Sequence, residues 1–214
     1  VTSVPGRADG CITITAKAIP DGVVSNHLVR RARPGTIIQL DQAQGDFVLP
    51  DPAPAKVLFL TAGSGITPVM GMLRNGAHTA ADVVLLHSAP TEADVIFGAE
   101  LRRLAAEGTI RLVERHTDVD GMLTVDELDD LVPDHCERQT WACGPIGLLD
   151  AVEEHWAGRG VAEQLHTERF RPTVISPGEG GTVTFSKAGV TLDADGSTAI
   201  LDAGESAGVL MPSG

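Results

Sequence analysis

Two glycines, Gly63 and Gly65, follow an apolar run at the spacing of a turn that can bind a phosphate. Glycine permits a tight turn and lets another molecule approach the backbone without meeting a Cβ atom. Pro68 lies where the first turn of a helix tolerates proline, and a helix N-terminus presents free N–H groups to an anion. The stretch 59–68 therefore predicts either a phosphate-binding turn between a strand and a helix or an ordinary glycine-rich turn.

This turn departs from the usual dinucleotide-binding pattern. Pro68 occupies the position of the third glycine of G-x-G-x-x-G. The next strand, expected over 82–87, is followed by Ser88-Ala89-Pro90, whereas a standard Rossmann domain places an acidic residue there for the ribose hydroxyls. A different nucleotide-binding family is therefore expected.

A second candidate anion site lies near the N-terminus. The sequence predicts a short helix over 22–30, which Ser25 or Asn26 could cap, and a hydroxyl beside free N–H groups can also bind an anion. Taken alone, Ser25 is more often only a helix cap. Cys143, which ends another predicted strand before Gly144-Pro145, would on its own be a small buried residue.

The elements that position these residues are expected to alternate between strand and helix after residue 55. Apolar runs predict strands buried on both faces, and 3.6-residue periodicity predicts the helices between them. The predicted strands are 56–60, 82–87, 110–114, 140–143 and 165–170, and the predicted helices follow Pro68, cover 96–106, follow the Thr124–Glu127 capping box and cover 146–156. This order predicts a doubly wound parallel sheet that binds ligands beyond the carboxyl ends of its strands.

The rest of the chain has a different pattern. Alternating residues over 11–15 and 36–40 predict antiparallel strands, and the proline-rich residues 51–55 predict a domain boundary. A glycine-rich linker after residue 171 precedes a predicted hairpin over 182–192 and a helix over 200–207. We therefore expect three domains, over 1–52, 53–171 and 172–214.

Composition restricts the classes of function. The chain has 214 residues, is 43% hydrophobic and carries a formal net charge of −13, so a globular protein is expected and a nucleic-acid partner is not. Its three cysteines form no C-x-x-C pair, which predicts neither a disulfide framework nor a zinc site. No apolar run approaches membrane-spanning length, so we expect a cytoplasmic protein without membrane insertion.

Four motifs together resemble the ferredoxin–NADP reductase superfamily in order and spacing. They are Gly22-Val23-Val24-Ser25, Gly45-Asp46-Phe47, Gly63-Ser64-Gly65-Ile66-Thr67-Pro68 and Cys143-Gly144-Pro145. Residues 172–214 look like the opening of a plant-type [2Fe–2S] ferredoxin domain. The fold implied is part of an antiparallel flavin-binding β-barrel, a parallel doubly wound NAD(P)-binding domain and the start of a β-grasp ferredoxin-like domain.

The resemblance also implies roles for single residues. Thr67, Cys143 and Glu168 would be catalytic, with Cys143 near the nicotinamide and Glu168 close to the flavin. The FAD pyrophosphate would contact Val23, Val24 and Ser25. The residues implied to contact NAD(P)H are Gly63, Ser64, Gly65, Ile66, Thr67, Cys143, Gly144 and Pro145. The implied reaction passes hydride from NAD(P)H to FAD and single electrons through a [2Fe–2S] centre to an oxygenase or desaturase partner, and a monomer is expected.

Coenzyme choice and completeness are less constrained. Ser88 and Arg115 are candidates for contact with a 2′-phosphate, and we expect NADPH in preference to NADH. The family's Arg-x-Tyr-Ser/Thr flavin motif and any tyrosine are missing, and 172–214 contain no cysteine, so a cluster would require chain beyond Gly214. We therefore expect part of a longer reductase. The alternative is a non-catalytic nucleotide-binding or regulatory module; a hydrolase would need a nucleophile elbow that is absent.

Overall fold

The computed structural model describes residues 9–18, 21–39, 45–75, 82–170, 178–196, 198 and 200–209. The chain divides into two compact units, Val1–Phe170 and Arg171–Gly214. The boundary expected near residue 53 stays a prediction, and the linker residues 171–177 lie outside the described residues.

A parallel sheet of five strands forms the centre of the first unit, in the order β3-β2-β1-β4-β5. All four neighbouring pairs are parallel, which confirms the predicted parallel sheet. The strands are β1 (Lys56–Ala62), β2 (Asp82–Ala89), β3 (Arg111–His116), β4 (Gln139–Cys143) and β5 (Leu165–Glu168). Strand order reverses its direction at β1, so the crevice typical of ligand binding in such sheets lies between β1 and β4.

Helices cover both faces of this sheet because successive residues of β1 point to opposite sides. Phe59 packs in one cluster with Met70, and Leu60 packs in the other with Trp156. The helices of the first unit are α1 (Val23–Arg30), α2 (Ile66–Asn75), α3 (Gly98–Ala106), α4 (Thr117–Asp120), α5 (Leu128–Leu131) and α6 (Ile146–Gly158). The first cluster contains residues of α2 and α3, and the second contains residues of α5 and α6.

Two details of the predicted helices were wrong. The helix expected from residue 96 begins at Gly98, because Phe97 adopts a left-handed conformation with φ of 62°. Neither Ser25 nor Asn26 caps α1, because both lie inside its first turns and Gly22 is the N-cap. Their side chains instead donate back to the Gly22 carbonyl, from Ser25 Oγ at 3.4 Å and Asn26 Nδ2 at 2.7 Å.

The antiparallel strands predicted near the N-terminus are also absent from the described residues. No ladder pairs 11–15 or 36–39, and Leu40 lies outside the part that the structure describes. An alternating pattern makes a strand only when a neighbouring strand supplies hydrogen bonds. Without one, the apolar residues of this pattern stay exposed, including Ile37 at 96%.

The second unit contains a hairpin followed by a helix. β6 (Gly178–Phe185) and β7 (Val190–Gly196) pair antiparallel, and α7 covers Ile200–Ser206. The predicted hairpin is thus present, with longer strands than expected. Of the helices in the described parts of both units, none is long and apolar enough to cross a membrane.

Candidate functional site

The glycine turn and the turn after Cys143 leave the sheet side by side. Thr61 of β1 is the register partner of Cys143 of β4, so both turns begin at the crevice between these strands. A 3₁₀ turn over Gly63–Gly65 continues directly into α2, and Pro145 is the N-cap of α6. Two helix N-termini therefore lie at this edge, where backbone N–H groups favour an anion.

The two glycines of the turn have opposite surroundings. Gly63 adopts φ of 55°, and a Cβ atom there would meet nothing within 4 Å. A Cβ atom on Gly65 would overlap the carbonyl oxygen of Cys143. Gly63 therefore leaves open space for a ligand, whereas Gly65 allows the turn to pack directly on the backbone of Cys143.

Cys143 and Glu168 are the last residues of β4 and β5. They are register partners on β4 and β5. Burial raises the pKa of the Cys143 thiol to about 12, and burial also raises the pKa of the Glu168 carboxyl. A thiol with such a pKa is not a nucleophile at neutral pH, so the site suits positioning of a bound group better than covalent catalysis.

The other predicted residues of the turns differ in exposure. Ile66 is fully buried in the core. Ser64 and Thr67 are half-buried, as is Gly144, while Pro145 is exposed. Ser64, Thr67 and the backbone of the two turns are thus the parts of this edge that a ligand could reach.

Ser88 and Arg115, the residues predicted for a 2′-phosphate, are register partners at the ends of β2 and β3. Ser88 is only 6% exposed. The Arg115 guanidinium donates to the Glu127 carboxylate at 2.6 Å and to the carbonyls of Gly121 at 2.9 Å and Asp120 at 2.5 Å. In this geometry Arg115 holds the loop after β3, and contact with a phosphate would require it to exchange these partners.

The residues predicted to bind the FAD pyrophosphate lie on a helix with little support. Val23 is 83% exposed and Val24 is 71% exposed, and α1 contains no buried residue. Ser25 is half-buried. The helix start offers backbone N–H groups, but its apolar side chains face solvent in the described structure.

The sequence analysis missed a row of polar residues that crosses the sheet at the same edge. Its members, in order across the five strands, are Glu168, Cys143, Thr61, His87 and Glu114. Thr61 Oγ1 lies 2.8 Å from His87 Nδ1, and both residues are almost completely buried. The available signal was a polar residue near the end of each apolar strand.

Comparison with known proteins agrees with the fold of this region. Residues 59–154 match the model of the oxidoreductase NAD-binding domain. An NADPH oxidoreductase from Mycobacterium tuberculosis is 51% identical over 220 residues, covering 100% of this chain and 58% of the relative. The ferredoxin reductase component of a 3-ketosteroid-9-alpha-monooxygenase from the same species is 34% identical over 173 residues, covering 79% of this chain and 48% of the relative.

A solved structure shows the same fold at lower identity. Phthalate dioxygenase reductase, described as a modular structure for electron transfer from pyridine nucleotides to [2Fe–2S], superposes with a TM-score of 0.52 at 22% identity, covering 79% of this chain and 53% of that one. The chain spans about half the length of the curated relatives it matches, at 58% and 48%. These relatives are named as an oxidoreductase and a ferredoxin reductase component, and the parallel sheet with its surrounding helices contains residues 59–154, which match the oxidoreductase NAD-binding domain.

Proposed function

We propose that this chain is the coenzyme-binding part of an NAD(P)H-dependent ferredoxin reductase-type flavoprotein. The observation that carries the proposal is the edge between β1 and β4, where the open Gly63 turn and two helix N-termini lie beside a neutral thiol. The names of the relatives, an NADPH oxidoreductase and a ferredoxin reductase component, support the same activity.

The residues at this edge fit a nicotinamide coenzyme. The N-terminus of α2 would bind the pyrophosphate through backbone N–H groups, and Gly63 would allow its close approach. Thr67 would orient the nicotinamide ring. The uncharged thiol of Cys143 is fully buried, so it would lie near the ring and support the turn without contacting the coenzyme. Orientation in a water-poor site is the main contribution that hydride transfer needs from the protein.

The residues present fit a flavin only in part. The start of α1, with Val23, Val24 and Ser25, offers N–H groups for the FAD pyrophosphate, whereas the sequence contains no tyrosine to pack on the flavin ring. When bound, FAD would accept hydride and release electrons singly. Glu168, which burial keeps closer to its neutral form through a raised pKa, is proposed to lie near it.

The onward path is proposed from the relatives alone. A [2Fe–2S] cluster needs cysteine ligands, and residues 172–214 contain none, so the hairpin unit does not fit a cluster and no step is assigned to it. The acceptor is proposed to be an oxygenase or desaturase component. A cytoplasmic location and a monomeric state are further parts of the proposal.

NADPH is proposed as the preferred coenzyme, as the name of the 51% identical relative suggests. Its 2′-phosphate would compete for Arg115 with the carboxylate of Glu127. The test is the ratio of catalytic efficiencies with NADPH and NADH. An equal or lower efficiency with NADPH would reverse the preference.

The activity itself is tested by anaerobic titration of the chain, supplemented with FAD, with NADPH and then NADH. Bleaching of the flavin absorption band is expected. Gly63→Ala should weaken this reaction, while Gly108→Ala should not, although both glycines have positive φ and open space around a Cβ atom. If the chain binds both FAD and NADP⁺ but neither NADPH nor NADH bleaches the flavin band, the non-catalytic nucleotide-binding module is favoured instead.

A further inference from the structure

The hydrogen bond between Thr61 and His87 allows two tautomers of the imidazole. The Thr61 hydroxyl has one proton and two possible acceptors, His87 Nδ1 at 2.8 Å and the Leu86 carbonyl at 3.5 Å. If the hydroxyl donates to Nδ1, a neutral His87 carries its proton on Nε2. If it donates to Leu86, Nδ1 carries the proton and donates to the hydroxyl oxygen.

His87 Nε2 and one carboxylate oxygen of Glu114 need complementary hydrogen-bond partners. His87 Nε2 and Glu114 Oε1 are both buried without a hydrogen-bond partner among the described residues. The two residues are register partners on β2 and β3, so their side chains leave the same face of strands about 4.8 Å apart. One is a donor and the other an acceptor, and a single water between them would satisfy both.

The other groups around Glu114 hold its carboxylate in place. Its Oε2 accepts a hydrogen bond from Arg102 Nη2 at 2.7 Å and lies 3.3 Å from His116 Nε2. Arg102 also pairs with Glu92 at 3.1 Å. A carboxylate beside the imidazole disfavours a lone pair on Nε2 and favours an N–H group there. It therefore selects the tautomer in which the Thr61 hydroxyl donates to Nδ1.

We propose that Glu114, one buried water, His87 and Thr61 form a continuous hydrogen-bonded chain. In this proposal, His87 is a positioning residue for the turn over Gly63–Gly65, where the coenzyme is proposed to bind. Thr61 precedes Ala62 and Gly63, and it pairs with Cys143 across the sheet. This hydrogen-bonded chain therefore holds the end of β1 against β2, directly before the turn over Gly63–Gly65. Its effect on coenzyme binding rests on the function proposed above, whereas the hydrogen-bonded chain itself does not.

Nitrogen-15 NMR of the histidine side chains in the full chain tests the tautomer without any ligand. His87 should remain neutral with its proton on Nε2 between about pH 5 and pH 8, where an ordinary histidine titrates. Burial, which lowers the pKa of His87 to about 4, has the same consequence. A proton on Nδ1, or a titration midpoint near that of a free histidine, would overturn the proposal.

Two substitutions of Thr61 separate the hydrogen bond from packing. Thr61→Val removes the hydroxyl and should both disturb the Nε2–H signal of His87 and weaken NADP⁺ binding about fivefold, the typical worth of one hydrogen bond. Thr61→Ser keeps the hydroxyl and should restore both properties. Equal behaviour of the two variants would contradict the positioning role.

The fold and the proposed function are controlled separately. Thermal unfolding of each variant shows whether it is folded. His87→Asn is a second test of the hydrogen bonds, because the asparagine amide oxygen can accept from the Thr61 hydroxyl in place of Nδ1 but the side chain cannot reach the water. His87→Asn should bind NADP⁺ more tightly than His87→Leu, and equal binding by the two variants would contradict the positioning role of the hydrogen bond to Thr61. If the unsubstituted chain binds no NADP⁺, the proposed function fails, while the tautomer measurement still decides the hydrogen-bonded chain.

Discussion

Two helix starts in this chain were predicted to bind a pyrophosphate, and they differ in what lies behind them. α2 begins at the end of the central strand, and its residues Ile66, Val69 and Met70 are all 0% exposed. α1 has no buried residue, and Val23 and Val24 face solvent. Both helix starts offer backbone N–H groups, although Pro68 in the first turn of α2 has none. The larger difference lies in the support that holds those groups in place.

The comparison shows that an anion site depends on packing as much as on its motif. The turn before α2 is fixed by the sheet, by the core and by the contact of Gly65 with Cys143. At the start of α1, Ser25 and Asn26 donate local hydrogen bonds to the Gly22 carbonyl, and no residue of the helix is buried. The coenzyme half of the proposed function is therefore better supported by this structure than the flavin half.

Truncation of matched apolar residues on the two helices should give the largest contrast. Met70→Ala should cost about 2 to 5 kcal/mol of unfolding free energy because it removes a fully buried side chain. Val24→Ala should change it by no more than about 0.5 kcal/mol because the side chain is exposed. Urea unfolding measures both, and similar losses would show that α1 is packed as firmly as α2.

Addition of a methyl group to the glycine turn tests the contact between the two site loops. Gly65→Ala should cost about 1 to 3 kcal/mol, the usual effect of overpacking, because its Cβ would overlap the Cys143 carbonyl oxygen. Coenzyme affinity should fall with it. Gly158→Ala, where a Cβ meets nothing within 4 Å, is the control, and equal stability of the two variants would contradict this packing.

The end of β1 opposite the glycine turn is held by ion pairs of Lys56 and Arg138 with Asp134, which makes the stability of the sheet depend on pH. The Arg138 hydrogen bond, with a further one from Lys56, lowers the pKa of Asp134 to about 2. Because this pKa is depressed on folding, the stabilisation is complete above the unfolded value of about 3.9 and is lost as pH falls towards the folded value.

Asp134→Asn should therefore be less stable than the unsubstituted chain at neutral pH. Its unfolding free energy should also fall less between about pH 4 and pH 2. Chemical unfolding at several pH values measures both effects. Asp130→Asn, at an exposed position, is the control and should retain the acid dependence; an unchanged slope for Asp134→Asn would refute the assignment.

The smallest effect on stability is expected at α1, where FAD is proposed to bind. Ser25 is half-buried in a helix without buried residues, and its hydroxyl donates to the Gly22 carbonyl over a long 3.4 Å. Ser25→Ala should therefore change the unfolding free energy by less than about 0.5 kcal/mol. If Ser25 contacts the FAD pyrophosphate, FAD affinity should nevertheless fall. Unchanged FAD affinity, measured by flavin fluorescence, would remove Ser25 from the proposed site.

Local patterns allowed the sheet and the glycine turn after β1 to be predicted. The apolar run of β1 stops at Gly63, and a helix with a tolerated proline follows, so the strand, turn and helix are all determined by neighbours in sequence. The row containing His87 and Glu114 could not be predicted in the same way, because its members meet only through strand pairing. The partners of Arg115 likewise became visible only in the folded loop.

The strands expected over 11–15 and 36–40 are not present in the described residues. Their alternating pattern favours a strand, but a strand needs a neighbour with which to pair, and no such neighbour lies among the described residues. A period of two in sequence indicates a preference for pairing but does not identify the neighbour. For β1 and β4, the alternation of strand and helix predicted a parallel sheet without its strand order, and the structure shows that these two strands pair in it.

The central claim is that the edge between β1 and β4 binds the coenzyme, and amide NMR of the chain during titration with NADP⁺ tests it most directly. The amide signals of Gly63, Gly65, Thr67 and Gly144 should shift together and saturate at one concentration, while those of α1 remain in place until FAD is added. Saturating shifts confined to other residues, or no shifts at these four, would contradict the account.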